Sequence, residues 1–273
     1  MIIGIDIGST TTKAVSLENG KITEKLKTRA ADAVTSATGA FGKMLVENKI
    51  NMPDIKRIMI TGAGATKIEG DLFGIATEKV NEIQAIGTGG MFLSGENNII
   101  IANIGTGTAI IEAQKEKIIH LGGSGVGGGT IIGLAKKLLL LSDFKDIMNL
   151  AGSGNLEPVD LLLEDIMENK LSFLDSKTTA ANFGKMLDTA RNEDIAFGII
   201  NMVYQVIGMI SIFAAKSRNI EKVIVTGSGS HNPLGQKILA GLTGMYSISF
   251  EYPEDAEYTT AIGAGLCGNR GGA

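Results

Sequence analysis

The stretch Ile99–Thr130 constrains the fold more than any other: IIIANIGTGTAIIEAQKEKIIHLGGSGVGGGT. IIIANI has the length and β-branched composition of a buried strand. Gly105, Thr106, Gly107 and Thr108 interrupt it, AIIEA resumes, and a hairpin around Gln114–Lys117 leads into KIIHL. GGSGVGGG then brings six glycines in eight residues. Each glycine costs roughly 0.5–1 kcal/mol where an ordinary residue would serve. The eight in this stretch therefore cost about 4–8 kcal/mol, against a net stability of about 5–15 kcal/mol. Turns alone do not need so many; a backbone that lies close to an anion and points N–H groups at it does. A predicted helix follows at Ile131–Leu141, so Gly127, Gly128 and Gly129 stand at a helix N-terminus, where phosphate is favoured.

The opening of the chain carries the same theme. Strands are predicted at Ile2–Ile7, from Lys13 to Leu17 and at Lys21–Lys27, with Asn19-Gly20 as the hairpin signal between the last two. IDIGSTT and ANIGTGT share an apolar–polar–Ile-Gly-Ser/Thr pattern, a weak internal duplication. Helices are expected at Asp32–Asn48 and Asn81–Leu93, with a strand at Ile55–Ile60 and a helical or loop region at Ile68–Gly74 between them. SGENN, Ser94–Asn98, marks the expected lobe boundary, giving lobes 1–98 and 99–273. Further helices are predicted at about Pro158–Asn169, Thr179–Arg191, Asp194–Ser217, Pro233–Leu242 and Thr259–Gly268. Strands are predicted at Lys222–Thr226 and Tyr246–Glu251. Hairpin strands followed by alternating helices and strands indicate an α/β fold with mixed sheets.

Candidate chemistry gathers at the strand ends. Asp6 closes the first strand and is followed by Gly8, Ser9, Thr10, Thr11, Thr12 and Lys13. A carboxylate beside a hydroxyl-rich turn can hold Mg²⁺ through waters, and the turn amides and Lys13 can hold phosphate oxygens. Gly227, Ser228 and Gly229 repeat the strand–glycine–helix theme, either as an ordinary turn or as backbone on which a flat adenine lies. Glu82 is a carboxylate on a weakly charged helix; composition leaves it either a solvated residue or an acceptor for a hydroxyl proton. Neither His120 nor His231 has metal-ligand spacing.

Charge and composition narrow the function class. A net charge of −4 without a run of five like charges argues against nucleic acid or an anionic membrane surface as partner. Cys267 is the single cysteine, so one chain supplies neither a disulfide nor a cysteine-held iron–sulfur cluster. The N-terminus begins in a predicted strand without a basic region, so no signal peptide and a cytoplasmic location are expected. Ile195–Ala215 runs 21 residues without a charge, long enough to span a membrane. Asn201, Gln205 and Ser211 interrupt it, and a buried core helix gives the same pattern.

IGIDIGSTTTK, ANIGTGT, GGSGVGGGTIIGL, TAANFGK (Thr179–Lys185) and VIVTGS, in this order and spacing, resemble the type II (eukaryotic-type) pantothenate kinases. These belong to the superfamily of actin, sugar kinases and heat-shock ATPases. The resemblance implies a two-lobed actin-like ATPase fold, a duplicated ribonuclease H-like unit with a nucleotide cleft between lobes. It also implies ATP and Mg²⁺ as cofactors, pantothenate as the substrate phosphorylated at its primary hydroxyl, and a homodimer paired through long helices. By the same resemblance Asp6 matches the Mg²⁺-associated aspartate, Lys13 the phosphate lysine, Glu82 the catalytic base and Thr106 a hydroxyl near pantothenate. Gly127–Gly129 match backbone at the ATP phosphates. Where such kinases usually carry an arginine that holds pantothenate, this chain has His120, and an imidazole does not replace a bidentate guanidinium. Two other readings share the fold: a nucleotide-binding protein that is non-catalytic or has another substrate, and an ATPase activator of a radical dehydratase. The activator opens almost identically but needs two cysteines per chain.

Overall fold

The computed structural model describes residues 1–167 and 175–268. Alternating Ile3, Ile5 and Ile7 on β1 (Ile2–Ile7) bury one face of the first sheet, while Gly4 and Asp6 face the other way. β2 (Thr11–Glu18) and β3 (Lys21–Arg29) pair antiparallel beside β1. The β2–β3 turn is Asn19-Gly20, with φ of 50° and 76°, the positive-φ pair that such hairpins require. β4 (Arg57–Thr61) lies parallel on the other side of β1, and β5 (Thr77–Lys79) parallel to β4. The order is β3-β2-β1-β4-β5.

The second sheet repeats this plan. β6 (Asn98–Ile104), β7 (Thr108–Gln114) and β8 (Lys117–Gly123) form the antiparallel meander. β11 (Lys222–Thr226) and β12 (Ser249–Glu251) add the parallel strands, in the order β8-β7-β6-β11-β12. Order and direction match strand for strand, so the duplication seen faintly in IDIGSTT and ANIGTGT extends through both sheets. β9 (Leu161–Leu162) and β10 (Thr179–Ala181) form a separate pair.

Five layers result. α1 (Ala33–Asn48), capped by Asp32 Oδ1 on Thr35 N, packs Ala37, Phe41 and Met44 under the first sheet. α3 (Gly128–Leu138), α4 (Phe144–Ala151), α6 (Asn192–Ser217) and α7 (Pro233–Tyr246) cover the outer face of the second. Between the sheets lie α2 (Glu82–Ser94) and α8 (Thr259–Cys267). α2 follows the first sheet but buries Ile86 against Ile99, Ile101 and Ile111 of the second. α8 follows the second sheet but buries Ala261 and Ile262 against Val15 and Leu17 of the first. Their crossing is close enough that a Cβ on Gly263 would meet Ala85 O at 1.8 Å, and one on Gly89 would meet Thr259 O at 2.0 Å.

α6 is the one helix among the described residues long and apolar enough to cross a membrane, and most of its apolar window is buried in the outer core. The remaining strands and helices fall near their predicted places, with four exceptions. The helix expected at Pro158–Asn169 is instead a turn, β9 and a single turn α5 (Leu163–Ile166), and its last two residues lie outside the described residues. The helix expected at Thr179–Arg191 is β10 followed by turns, with Phe183 at φ 57°. One cause explains both. Asp160, fully buried, accepts from Phe183 N and Thr179 Oγ1 at 2.9 Å each and from Asn201 Nδ2 of α6 at 2.9 Å. The first takes a backbone N–H that a helix would have used, and the other two pin Thr179 and Asn201 to the same carboxylate. α3 begins at Gly128 rather than Ile131. Residues up to Tyr246 continue α7 until Ser247 turns left-handed, which shortens the last strand to Ser249–Glu251. α4 and β5 had no predicted counterpart.

Candidate active site

A cleft of about 580 Å³ opens between the two sheets. The first sheet contributes Asp6 from the end of β1, the turn Gly8–Thr10, and Thr11 and Lys13 of β2. The second contributes Asn103 from β6, the turn Gly105–Gly107, and Gly128 and Gly129 at the start of α3. Gly227, Ser228 and Gly229 after β11 close one side, and Glu82 enters from the first turn of α2. Thus the residues predicted for metal, phosphate and base meet in one place. Two do not line it. Gly127 lies behind the Gly105–Gly107 turn, where a Cβ would come within 2.7 Å of Thr106 O; it sets the packing of the two glycine turns. His120 sits exposed on β8, opposite Ile111, and is not a lining residue.

Contacts across the cleft tie the halves together. Ser9 Oγ and Thr106 Oγ1, at equivalent places in the repeated turns, hydrogen-bond at 2.8 Å. Lys13 Nζ donates to Ser228 Oγ at 2.8 Å. Lys25 and Lys27 of β3 pair with Asp255 and Glu257 of the segment before α8.

Lys13, Asp6 and Thr61 stand in register on neighbouring strands β2, β1 and β4. Lys13 is only 6% exposed; burial lowers its pKa, and the Asp6 carboxylate opposes this. Burial pushes Asp6 up to about 7, with Lys13 pulling down and Glu82 adding a smaller upward push. Glu82 faces the open cleft, yet the protein around it desolvates it partly and raises its pKa above the ordinary carboxyl value. A carboxylate so placed is a suitable proton acceptor near neutral pH. Asn81 caps α2, accepting from Ile83 N and Gln84 N, so the helix N-terminus that carries Glu82 is fixed.

Sequence reading missed several lining residues. Asn103 is the polar residue at the end of β6 where β1 has Asp6, and its Oδ1 accepts from Thr226 Oγ1 at 3.0 Å. Ile131, Ile132 and Phe144 make one wall apolar, and Lys27, Tyr204 and Thr260 also line the cleft. Two repeats offered the missing signal: TGAG (Thr61–Gly64) matches TGSG (Thr226–Gly229), and AIGTG (Ala85–Gly89) matches AIGAG (Ala261–Gly265). Gly62 and Gly227 share φ values of 86° and 82°. A Cβ on Gly62 would lie 2.6 Å from Asp6 Oδ1, and one on Gly227 2.9 Å from Asn103 Oδ1.

A family model described as Fumble matches residues 97–264. A type II pantothenate kinase of Bacillus cereus is 32% identical over 96% of this chain and 95% of its own length. The chain belongs to the type II pantothenate kinase family. A family relative from Staphylococcus haemolyticus, also named type II pantothenate kinase, is 29% identical over 97% of this chain and 98% of its own. Two solved structures show how widely the family's fold is shared. An activator of 2-hydroxyisocaproyl-CoA dehydratase from Clostridium difficile with bound ADPNP superposes with a TM-score of 0.68 at 18% identity, covering 97% of this chain and 93% of that one. A ROK family glucokinase from Streptomyces griseus, in complex with glucose and AMPPNP, gives 0.61 at 14%, covering 99% of each. The activator reading asks for a second cysteine; Cys267 is the sole one, and its Sγ lies 3.8 Å from Thr88 Oγ1 in the α2–α8 crossing.

Proposed function

We propose that this chain transfers the γ-phosphoryl group of ATP to the primary hydroxyl of pantothenate, giving 4′-phosphopantothenate, the first step of coenzyme A biosynthesis. The observation that carries the reading is the convergence of Lys13, Asp6, Glu82 and the glycine turns of both halves on one cleft, in a member of this kinase family.

The donor set suits Mg²⁺ carried in with the nucleotide. Asp6 offers a hard carboxylate oxygen with no hydrogen-bond partner among the described residues. No group of three or more His, Cys, Asp or Glu able to hold a metal occurs among the described residues, so phosphate and water would supply most ligands. Asp6 would hold the ion, which when bound supplies positive charge to the phosphate oxygens. The rest falls to the chain. Amides of Gly8–Thr11, Gly105–Gly107 and Gly128–Gly129, with Ser9, Thr10, Ser228 and the Gly227–Gly229 turn, bind and orient the phosphates. Lys13 balances the charge that spreads over the transferred group. Glu82 takes the hydroxyl proton of the acceptor, and Thr106 orients that hydroxyl. His120, outside the cleft lining, would meet only the part of the substrate that reaches beyond the rim.

Residues 1–98 and 99–273, with α2 and α8 exchanged between them, form the two lobes in this reading, and closing them over the nucleotide excludes water, whose attack on ATP is the competing reaction. α6 and its neighbours would pair two copies into a homodimer of the cytoplasm. Coupled ADP release with Mg·ATP, with and without pantothenate, and the mass of the product test the reading. Pantothenate-dependent turnover with phosphopantothenate formed is expected. Nucleotide binding without such turnover overturns the substrate.

A further inference from the structure

Tyr204 is a tyrosine inside an apolar stretch of α6, 2% exposed. Its hydroxyl donates to Gly229 O at 2.7 Å. Two glycines make room for it. A Cβ on Gly235 would fall 2.2–2.6 Å from its ring, and one on Gly229 would lie 3.2 Å from its hydroxyl. A phenylalanine would bury the same ring, so what the tyrosine adds is a bond to one carbonyl. Burial raises its pKa, so the phenol stays a donor at every physiological pH. The carbonyl belongs to the tight turn after β11, closed by Ser230 N on Gly227 O at 3.1 Å. The residue before it, Ser228, accepts from Lys13 Nζ on the opposite sheet. Lys13 in turn stands in register with Asp6. A line of direct contacts thus runs from the middle of α6, through the turn, across the cleft to the phosphate lysine.

We propose that Tyr204 is a positioning residue for the nucleotide: by holding Gly229 O it orients the Ser228 hydroxyl and the turn amides toward the cleft, and so sets affinity for ATP without touching the acceptor substrate. The inference rests on the kinase reading above only for the identity of the nucleotide. The neighbours of the turn agree with such a role. Gly227 N is held by Ala256 O at 2.8 Å, and Gln236 Nε2 holds Ser230 O at 2.8 Å. The turn is therefore anchored on both flanks, and at its centre Gly229 O accepts from the Tyr204 hydroxyl at 2.7 Å and from Asn232 N at 3.3 Å, the phenol making the shorter bond.

Calorimetric titration of a non-hydrolysable ATP analogue with Mg²⁺ tests this on the whole chain, in wild type, Tyr204→Phe, Ser228→Ala and the double variant, each with its melting temperature. Binding to Tyr204→Phe is expected to weaken roughly three- to tenfold, the scale of one neutral hydrogen bond. The double variant should lose less affinity than the two single losses multiplied together, because both residues act through one turn. In turnover the ATP KM should rise by the same factor while the KM for pantothenate and kcat stay as in wild type. A purely structural loss would lower the melting temperature and leave analogue affinity alone, which overturns the proposal. So do losses that multiply in the double variant. Hydrogen exchange of wild type at Ser228–His231 gives a reading independent of any substitution: rising protection on analogue binding is expected, and unchanged protection overturns it. A chain that binds the analogue as described but does not phosphorylate pantothenate sinks the substrate reading and leaves this one standing.

Discussion

On the cleft face of each sheet three side chains stand in register on the second, first and fourth strands of the repeat. In the first sheet they are Lys13, Asp6 and Thr61; in the second, Ala109, Asn103 and Thr226. The helices that follow differ in the same sense. Counting back from the shared Ala-Ile-Gly of α2 and α8, Glu82 in the first unit corresponds to Tyr258 in the second. Asn103 is satisfied by Thr226 at 3.0 Å. Thr61 Oγ1, the counterpart of that threonine, is buried without a hydrogen-bond partner among the described residues, and burial holds the Asp6 carboxyl near 7. At these positions two copies of one unit have thus separated into a charged trio, kept under electrostatic tension, and an uncharged one whose Asn103 Oδ1 accepts from its threonine. Function and stability pull the repeat apart: the unpaired charges sit where a phosphate and a metal would neutralise them.

Making the charged half resemble the neutral one is the direct way to break this contrast. Glu82→Gln should have the largest effect, cutting kcat by about 10²–10⁴-fold, the range of general base catalysis, while nucleotide affinity holds. Full activity in that variant would show that the asymmetry of α2 and α8 has nothing to do with catalysis. Asp6→Asn copies Asn103 and should lower kcat/KM for Mg·ATP by roughly 10²–10³-fold. It should also stabilise the free protein. Between 3.8 and about 7 the folded chain keeps on Asp6 a proton that the unfolded chain has lost. Ionising Asp6 above that window therefore costs folding free energy. The melting temperature of Asp6→Asn should exceed that of wild type at pH 8, and the gap should close as pH falls toward 4. A gap that widens on acidification contradicts the burial of Asp6.

The helix crossing sharpens the comparison from the side of stability. Gly263→Ala drives a Cβ to 1.8 Å from Ala85 O, and overpacking of this kind costs about 1–3 kcal/mol or more. Gly241→Ala, on α7 with nothing within 4 Å of its Cβ, should gain about 0.5–1 kcal/mol from helix propensity. Urea midpoints measure both, and equal shifts would mean that the crossing is looser than described. The smallest effect is expected from Lys25→Ala. Its pair with Asp255 spans the two halves but is 38% exposed at the lysine, and exposed pairs contribute about 0–1 kcal/mol. A loss above that in low salt would make the outer pairs a true clasp between the halves.

What could be read from the chain followed the range of the forces involved. The strands at Ile2–Ile7 and Lys222–Thr226, the Asn19-Gly20 turn and the helices expected from Asp32 and Asn81 depend on local pattern, and the structure places them within a residue of where the sequence indicates. The glycine turns pointed to the cleft because their conformational cost has no local reason. Residues 158–167 and 175–191 did not yield, because Asp160 bonds to residues 19 to 41 positions away. Nor did the register of Asp6 with Lys13 and Thr61, since strand β4 joins β1 only after the whole β2–β3 hairpin and α1 have intervened. The TGAG/TGSG and AIGTG/AIGAG repeats lay in plain sight. They gain meaning only when the two sheets are laid over each other.

The exchange of α2 and α8 between the sheets bears on how the chain is made. β1 is made before the other described strands, yet the face that carries Gly4 and Asp6 packs against α8, whose Ala261 O and Gly265 N would lie 2.1 and 2.8 Å from a Cβ on Gly4. The first half therefore waits, half-clad, until nearly all of the second has been synthesised, and contacts of such span slow folding. Until α8 is made, Val15 and Leu17 on the inner face of the first sheet lack the partners that bury them.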